Sequence, residues 1–191
     1  HLIVAHKEGD ITGVSNDVGI VFSRHPYILS ILSEGQENVE AGFGKLGAVS
    51  TDCSEVVPGC DVLMVVLPAT GHREVAKSIA SCVQEAQIVV LNPGRTGGAL
   101  EFAHVLREAG CRKLPLIAET QTFIYASRAV GPAQAKIFAV KNSVPVAALP
   151  GFRTCEVVAA LRHAYPQFVP ATNVLRTSMD NVAVMFHPAV M

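Results

Sequence analysis

Three short segments of small and polar residues each follow an apolar run of strand length. These segments are residues 68–70 (Pro-Ala-Thr), 92–98 (Asn-Pro-Gly-Arg-Thr-Gly-Gly) and 119–120 (Glu-Thr). In an open parallel sheet, ligands bind outside the carboxyl ends of the strands. Small residues let a flat cofactor approach the backbone, and a helix start at Gly97 and Gly98 offers N–H groups that bind phosphate. A turn explains any one of these segments well enough, but three in succession predict a ligand site.

The elements around these segments alternate between strand-like and helix-like patterns. Residues 61–67, 87–91 and 114–118 are apolar runs, as expected for strands that are buried on both faces. Between them, residues 75–83 and 102–109 repeat apolar side chains at helical spacing. Strands and helices that alternate in this way are typical of βαβ crossovers. We therefore predict an α/β fold with a Rossmann-like, mostly parallel sheet.

The flanking sequence predicts further elements. Upstream, residues 18–23 have the pattern of a strand, and residues 26–32 that of a short helix with a proline in its first turn. Downstream, strand-like runs without long helices between them predict strands added at one edge of the sheet. These runs are residues 123–127, 136–140 and 144–149. Residues 154–164 then predict a helix with Thr154 as its N-cap.

The two ends of the sequence differ from the middle. Apolar residues at helical spacing from Ser178 onward predict the start of a helical domain that the sequence truncates. We therefore predict a dinucleotide-binding domain over residues 1–177 and the start of a helical substrate or catalytic domain over residues 178–191. The first 17 or so residues are atypical, because they lack a G-x-G-x-x-G string and because Glu8 and Asp10 would repel a pyrophosphate. Either the first βα unit is degenerate or these residues are something else.

The composition restricts the class of protein. Half of the residues are hydrophobic and 16% are charged, with a formal net charge of −1, which argues against a general nucleic-acid binder. The longest apolar runs are of strand length, so no membrane helix is expected. The five cysteines form no C-x-x-C pair, and the histidines show no metal-ligand spacing. We expect reduced thiols, a cytoplasmic location and no metal.

Four strings of residues together carry a family pattern. They are Pro68-Ala69, Leu91-Asn92-Pro93-Gly94-Arg95-Thr96-Gly97-Gly98-Ala99-Leu100-Glu101-Phe102, Glu119-Thr120-Gln121-Thr122, and Asn181 through His187-Pro188. With these strings, residues 19–191 resemble the opine dehydrogenases of the octopine and nopaline dehydrogenase type. The resemblance implies a Rossmann domain followed by a helical domain. It also implies an enzyme that joins an amino acid to a 2-keto acid and reduces the imine with NAD(P)H.

The resemblance implies roles for individual residues. His187 matches the catalytic histidine, a general acid/base, whereas the alternative for a histidine before proline is packing at a helix end. Glu119 matches an acidic residue that faces the amino group of the substrate, with Thr120 beside it. The alternative for Glu119 is a surface carboxylate at a strand end. The loops over the cofactor are matched by Pro68, Ala69, Asn92, Pro93 and Gly94.

The cofactor preference depends on Arg24, which lies at the end of the predicted strand over residues 18–23. That position contacts the ribose 2′ substituent of a dinucleotide, and an arginine there favours NADP over NAD. A solvated surface arginine is the alternative. The aspartate that pairs with the catalytic histidine in the family belongs to the helical domain beyond this sequence. Residues 1–191 alone are therefore expected to be inactive.

Two rival functions remain open. One is a related Rossmann reductase of the ketopantoate reductase or glycerol-3-phosphate dehydrogenase type, although the string over residues 92–98 argues against it. The other is a non-catalytic nucleotide-binding module, favoured by the atypical first residues. The expected partners are the amino acid and the 2-keto acid, with neither nucleic acid nor membrane. A homodimer is left open.

Overall fold

The structure is a computed structural model that describes residues 3–11, 14–22, 27–32, 49–50, 52–131, 134–162 and 165–180. The predictions for Arg24 and His187 lie outside these residues. No helix in the described part of the chain is long and apolar enough to span a membrane.

The first four strands form a sheet of their own. They are β1 (Ile3–Ile11), β2 (Val14–Phe22), β3 (Tyr27–Leu32) and β4 (Val49–Ser50), in the spatial order β3-β2-β1-β4. Strands β1, β2 and β3 pair antiparallel, and β4 pairs parallel with β1. Strand β3 lies beside the first strand of the second sheet.

One prediction for this region is wrong. Residues 27–32 form a strand and not the predicted helix, in register with β2 from Val21 opposite Tyr27 to Asn16 opposite Leu32. The atypical first residues, which the sequence left undecided, form β1 from Ile3 to Ile11. In both cases a neighbouring strand supplies backbone hydrogen bonds, and this pairing overrides the weak local signal of proline and charged residues.

The second sheet has five strands and forms the core. Its members are β5 (Val62–Val65), β6 (Ile88–Leu91), β7 (Leu116–Thr120), β10 (Val144–Leu149) and β11 (Phe168–Pro170). The spatial order is β11-β10-β7-β6-β5; β5, β6 and β7 run parallel, β10 pairs antiparallel with β7, and β11 pairs parallel with β10. Every residue of β5, β6 and β7 is buried. The predicted α/β fold, with a mostly parallel sheet and strands added at one edge, is confirmed. Of the three strand-like runs predicted for that edge, residues 144–149 join the sheet as β10, whereas the other two form a separate hairpin.

Helices cover this sheet, and a hairpin projects from it. The helices are α1 (Cys53–Val56), α2 (His72–Ile79), α3 (Gly98–Glu108), α4 (Thr154–Arg162) and α5 (Val174–Met179). Helix α3 packs on β7, and α4 packs on β10 and β11, with Phe102 and Leu106 of α3 fully buried. The hairpin consists of β8 (Tyr125–Gly131) and β9 (Gln134–Val140), which pair only with each other in the described residues.

Two helix starts differ from the prediction. Thr154 is the first residue of α4, and its hydroxyl accepts from Ala148 N and donates to Gly151 O, so it ties the helix to the preceding strand and turn and does not cap α4. The last described helix begins at Val174, before the predicted start at Ser178, with Asn173 as its N-cap. The Asn173 side chain fixes this earlier start, because it accepts a hydrogen bond from Arg176 N in the first turn of the helix. The boundary between residues 177 and 178 remains a prediction.

Candidate functional site

The three segments predicted to form a site begin at the same edge of the sheet. Val65 of β5 is paired with Leu91 of β6, and Leu91 is paired with Glu119 of β7. Since these strands are parallel, the residues that follow them emerge side by side. The structure therefore brings the three segments together at the carboxyl edge, which is where ligands bind in such sheets.

The segment after β6 is held down by hydrogen bonds to both neighbouring strands. Asn92 N donates to Val65 O at 2.8 Å, and Gly94 N donates to Thr120 O at 3.0 Å. The Thr120 hydroxyl lies 2.8 Å from the Asn92 side-chain oxygen. Asn92, Pro93, Gly94 and Thr120 are all buried. These four residues form the buried base of the site, and other residues form its accessible surface.

Glu119 is fully buried, so the alternative of a surface carboxylate is wrong. Its Oε2 accepts from Ala99 N, in the first turn of α3, at 2.8 Å. Its Oε1 lies 2.7 Å from the Thr177 hydroxyl and 2.6 Å from the Ser178 hydroxyl. Burial raises the pKa of Glu119, while the hydrogen bonds from Ser178, Thr177 and Ala99 oppose that rise. Nothing in the sequence around Glu119 indicates this burial, because Thr177 and Ser178 come from α5.

The two glycines at the start of α3 have different surroundings. Gly97 has φ +72°, in the left-handed region that glycine adopts without strain, and a Cβ there would meet nothing within 4 Å. Gly98 is buried, between the side chains of Leu91, His72 and Glu119. The expectation that the helix start offers unpaired N–H groups is wrong for two of them. Gly97 N donates to the Ser178 hydroxyl at 3.0 Å, and Ala99 N donates to Glu119.

The accessible part of the edge has small residues and two cations. Pro68 and Ala69 are exposed, and open space lies beside Gly97. Arg95 and Lys141 are half-buried, and neither forms an ion pair within the described part of the chain. Burial and the nearby charge of Arg95 lower the pKa of Lys141. Converging cations of this kind suit an anionic group on a ligand.

Sequence reasoning missed both of these cations. Arg95 is a non-glycine residue with φ +61°, a conformation that clusters at functional sites and that no local pattern predicts. Lys141 follows β9 and is brought to the edge by a hydrogen bond of 2.6 Å from its Nζ to the Thr122 hydroxyl. The one available signal for Arg95 was its place inside the string over residues 92–98.

A buried histidine lies beside Gly98, with its Nδ1 3.6 Å from the position that a Cβ would occupy there. His72 is 2% exposed, and its Nε2 has no hydrogen-bond partner among the described residues. Burial lowers the pKa of His72, and a hydrogen bond with the Leu67 backbone opposes that shift. His72 therefore carries no charge near neutral pH and packs under the start of α3.

Comparison with known proteins gives different matches for different parts of the chain. A family model described as "Beta-lactamase enzyme family" matches residues 1–56. The opine dehydrogenase of Arthrobacter sp. (strain 1C) is 36% identical over 148 residues, which are 78% of this chain and 41% of that relative. Over this stretch the chain is similar to the opine dehydrogenases.

Solved structures of opine dehydrogenases are similar to the chain at the level of the fold. Octopine dehydrogenase in complex with NADH and L-arginine superimposes on 99% of the chain with a TM-score of 0.61 and 14% identity. Yersinopine dehydrogenase with NADP+ superimposes on 75% of the chain with a TM-score of 0.55 and 18% identity. The chain covers 41% and 35% of these two proteins. The fold of the chain is thus Rossmann-like, and the chain spans about two fifths of these relatives.

Proposed function

We propose that the full-length protein is an NAD(P)H-dependent opine dehydrogenase, which condenses an amino acid with a 2-keto acid and reduces the product. The observation that carries the proposal is the shared carboxyl edge of β5, β6 and β7. At that edge the string over residues 92–98 lies beside exposed small residues. Two half-buried cations lie at the same edge, and neither has an acidic partner in the described part of the chain. A relative with 36% identity and this activity in its name supports it.

The edge is suited to a nicotinamide cofactor. The exposed Pro68 and Ala69, and the open space at Gly97, would let a flat ring system lie against the backbone. The ring system would rest on the base formed by Asn92, Pro93, Gly94 and Gly98. Solved relatives were captured with NADH and with NADP+; for this protein we propose NADP(H) over NAD(H), because of Arg24.

The chemistry needs a hydride, which the bound cofactor would supply, and a proton at the substrate nitrogen. We propose His187 as the group that delivers this proton, since an imidazole exchanges protons near neutral pH. An orienting carboxylate for His187 would come from the proposed helical domain, whose predicted start is residue 178. Residues 1–191 alone would then lack turnover.

The two cations at the edge fit the charges of the substrates. A 2-keto acid and an amino acid each carry a carboxylate, and the cofactor carries phosphates. We propose that Arg95 and Lys141 bind one of these anions, with the Thr122 hydroxyl holding the lysine in place. Solved complexes of octopine dehydrogenase contain L-arginine and pyruvate, which belong to these substrate classes.

The test is oxidation of NADPH and NADH by the full-length protein with a panel of amino acids and 2-keto acids. Oxidation that requires both substrates, with a product whose mass equals their sum less one oxygen atom, supports the proposal. Oxidation with a keto acid alone would favour the ketopantoate reductase type. Cofactor binding without turnover on any pair would favour a non-catalytic module. A lower KM for NADH than for NADPH would remove the role of Arg24.

The match over residues 1–56 favours a second candidate function for that part of the chain, hydrolysis of a β-lactam. It is supported by the separate, largely antiparallel sheet of β1 to β4, which differs from a βαβ unit. A chromogenic β-lactam distinguishes the candidates. Hydrolysis by the full-length protein above the buffer rate supports the second function, and hydrolysis at the buffer rate removes it.

A further inference from the structure

Glu119 connects three parts of the chain that are far apart in sequence. It is the penultimate residue of β7, its Oε2 accepts from the first turn of α3, and its Oε1 contacts two hydroxyls of α5. Ser178 adds a second link, because its hydroxyl accepts from Gly97 N and therefore has its one proton available for Glu119. The carboxylate thus fastens α5 to the start of α3.

This arrangement argues against direct contact of Glu119 with a substrate. A carboxylate that recognises an ammonium group needs an accessible oxygen, and Glu119 is 0% exposed. A substrate cation would have to displace Ala99 N or the α5 hydroxyls, each of which would then lose its partner in the protein interior. The same carboxylate occupies the positive end of α3, where a bound anion would otherwise lie.

We propose that Glu119 is a positioning residue, which ties the α5 segment leading to His187 to the loop at the cofactor edge. The inference rests on the proposed function. His187 follows Ser178 by nine residues, so the anchor at Thr177 and Ser178 limits where the acid can stand relative to the loop over residues 92–98. Displacement of a reacting group by about 1 Å costs on the order of a hundredfold in rate.

The test is a double-mutant cycle of Glu119→Gln and Ser178→Ala in the full-length enzyme, with the amino acid and keto acid on which the wild type is most active. Each single variant should lower kcat by about tenfold or more, with the amino-acid KM changed by less than about threefold. The double variant should be no less active than the less active single variant, because both changes break the Glu119–Ser178 contact. Thr177→Ser retains the hydroxyl and should stay close to wild type, whereas Thr177→Val should not. Ser81→Ala, at an exposed turn, controls for loss of a hydroxyl.

Three outcomes would overturn the inference. The first is an amino-acid KM that is raised in Glu119→Gln but normal in Ser178→Ala. The second is a pair of effects on kcat that add in the double variant. The third is a wild-type kcat in all variants, with only the Tm lowered. Hydrogen exchange at the amides of Gly97 and Ala99 gives a readout that needs no activity. Faster exchange in both single variants would support the link even if no substrate pair were turned over, and only the proposed function would then fail. Unchanged exchange would remove the link itself.

Discussion

A Cβ atom placed on Gly94 would lie 2.4 Å from the Cβ of Glu119 and 2.6 Å from its Oε2. The loop after β6 therefore lies directly against the buried carboxylate, and no side chain fits between them. This contact explains why residue 94 is a glycine without any need for unusual backbone angles. It also makes the loop and the carboxylate one packed unit, in which a change at either residue affects the other.

Gly94→Ala should destabilise the protein, because the fully packed surroundings cannot give way to an added methyl group. Overpacking of this kind costs about 1–3 kcal/mol in the free energy of unfolding. Urea denaturation measures the cost. Gly59→Ala is the matched control, since nothing lies within 4 Å of a Cβ at Gly59. A loss no larger in Gly94→Ala than in the control would contradict the close contact.

Gly97→Ala and Gly98→Ala should have different effects on the free energy of unfolding. Gly97 adopts φ +72°, where alanine costs about 1–2 kcal/mol. A Cβ at Gly98 would meet its neighbours at 3.5 to 3.7 Å, which is ordinary contact. Alanine there should be neutral or should stabilise α3 by up to about 1 kcal/mol. Thermal unfolding compares the two variants.

A cofactor titration then shows whether Gly98 serves the ligand. If the dinucleotide approaches the backbone at this position, Gly98→Ala should weaken its binding while the protein stays as stable as the wild type. Unchanged affinity in a stable variant would mean that Gly98 is there for packing against Leu91 and His72 alone.

Arg95→Ala and Lys141→Ala should each weaken the binding of an anionic ligand by about ten- to a hundredfold, as expected for the loss of a charge-assisted contact. Separate measurements of the KM of the keto acid, the amino acid and the cofactor identify which anion is bound. Lys77→Ala, an exposed lysine on α2, is the control and should leave all three unchanged. If the Arg95 and Lys141 variants behave like this control, the assignment of an anion-binding role to these two residues is wrong.

His72 should make the protein sensitive to acid. Burial lowers its pKa below the ordinary value of 6.5, so between the folded pKa and 6.5 the unfolded chain binds more protons than the folded one. The contribution of neutral His72 to the free energy of unfolding is fully present above pH 6.5 and is lost as the pH falls through the folded pKa. His72→Asn should flatten this dependence, measured by urea denaturation across that range. His104→Asn, at an exposed histidine, should retain the wild-type slope; an unchanged slope in His72→Asn would refute the prediction.

His187→Gln in the full-length enzyme should lower kcat by about 10²–10⁴-fold, the usual contribution of general acid–base catalysis. Cofactor affinity should be nearly unchanged, because the proposed proton transfer involves the substrate nitrogen. Steady-state kinetics and a separate cofactor titration check both points. A kcat close to wild type would exclude His187 as the acid.

Much of the fold follows from the sequence alone. Continuous apolar runs fit only strands that are buried on both faces, so β5, β6 and β7 could be predicted together with the helices between them. Their parallel order then places the following segments at one edge, and the string over residues 92–98 carries the resemblance to the opine dehydrogenases. These features are local or follow from chain order.

The tertiary structure decided what the sequence left open. Glu119 lies near the end of an ordinary strand, and its burial depends on hydroxyls 58 and 59 residues later in the chain. Residues 27–32 became a strand because β2, the other strand of a hairpin, supplied their hydrogen bonds. In both cases the deciding partner lies outside the segment itself. Local propensity has no information about such partners, because only the folded chain brings them into contact.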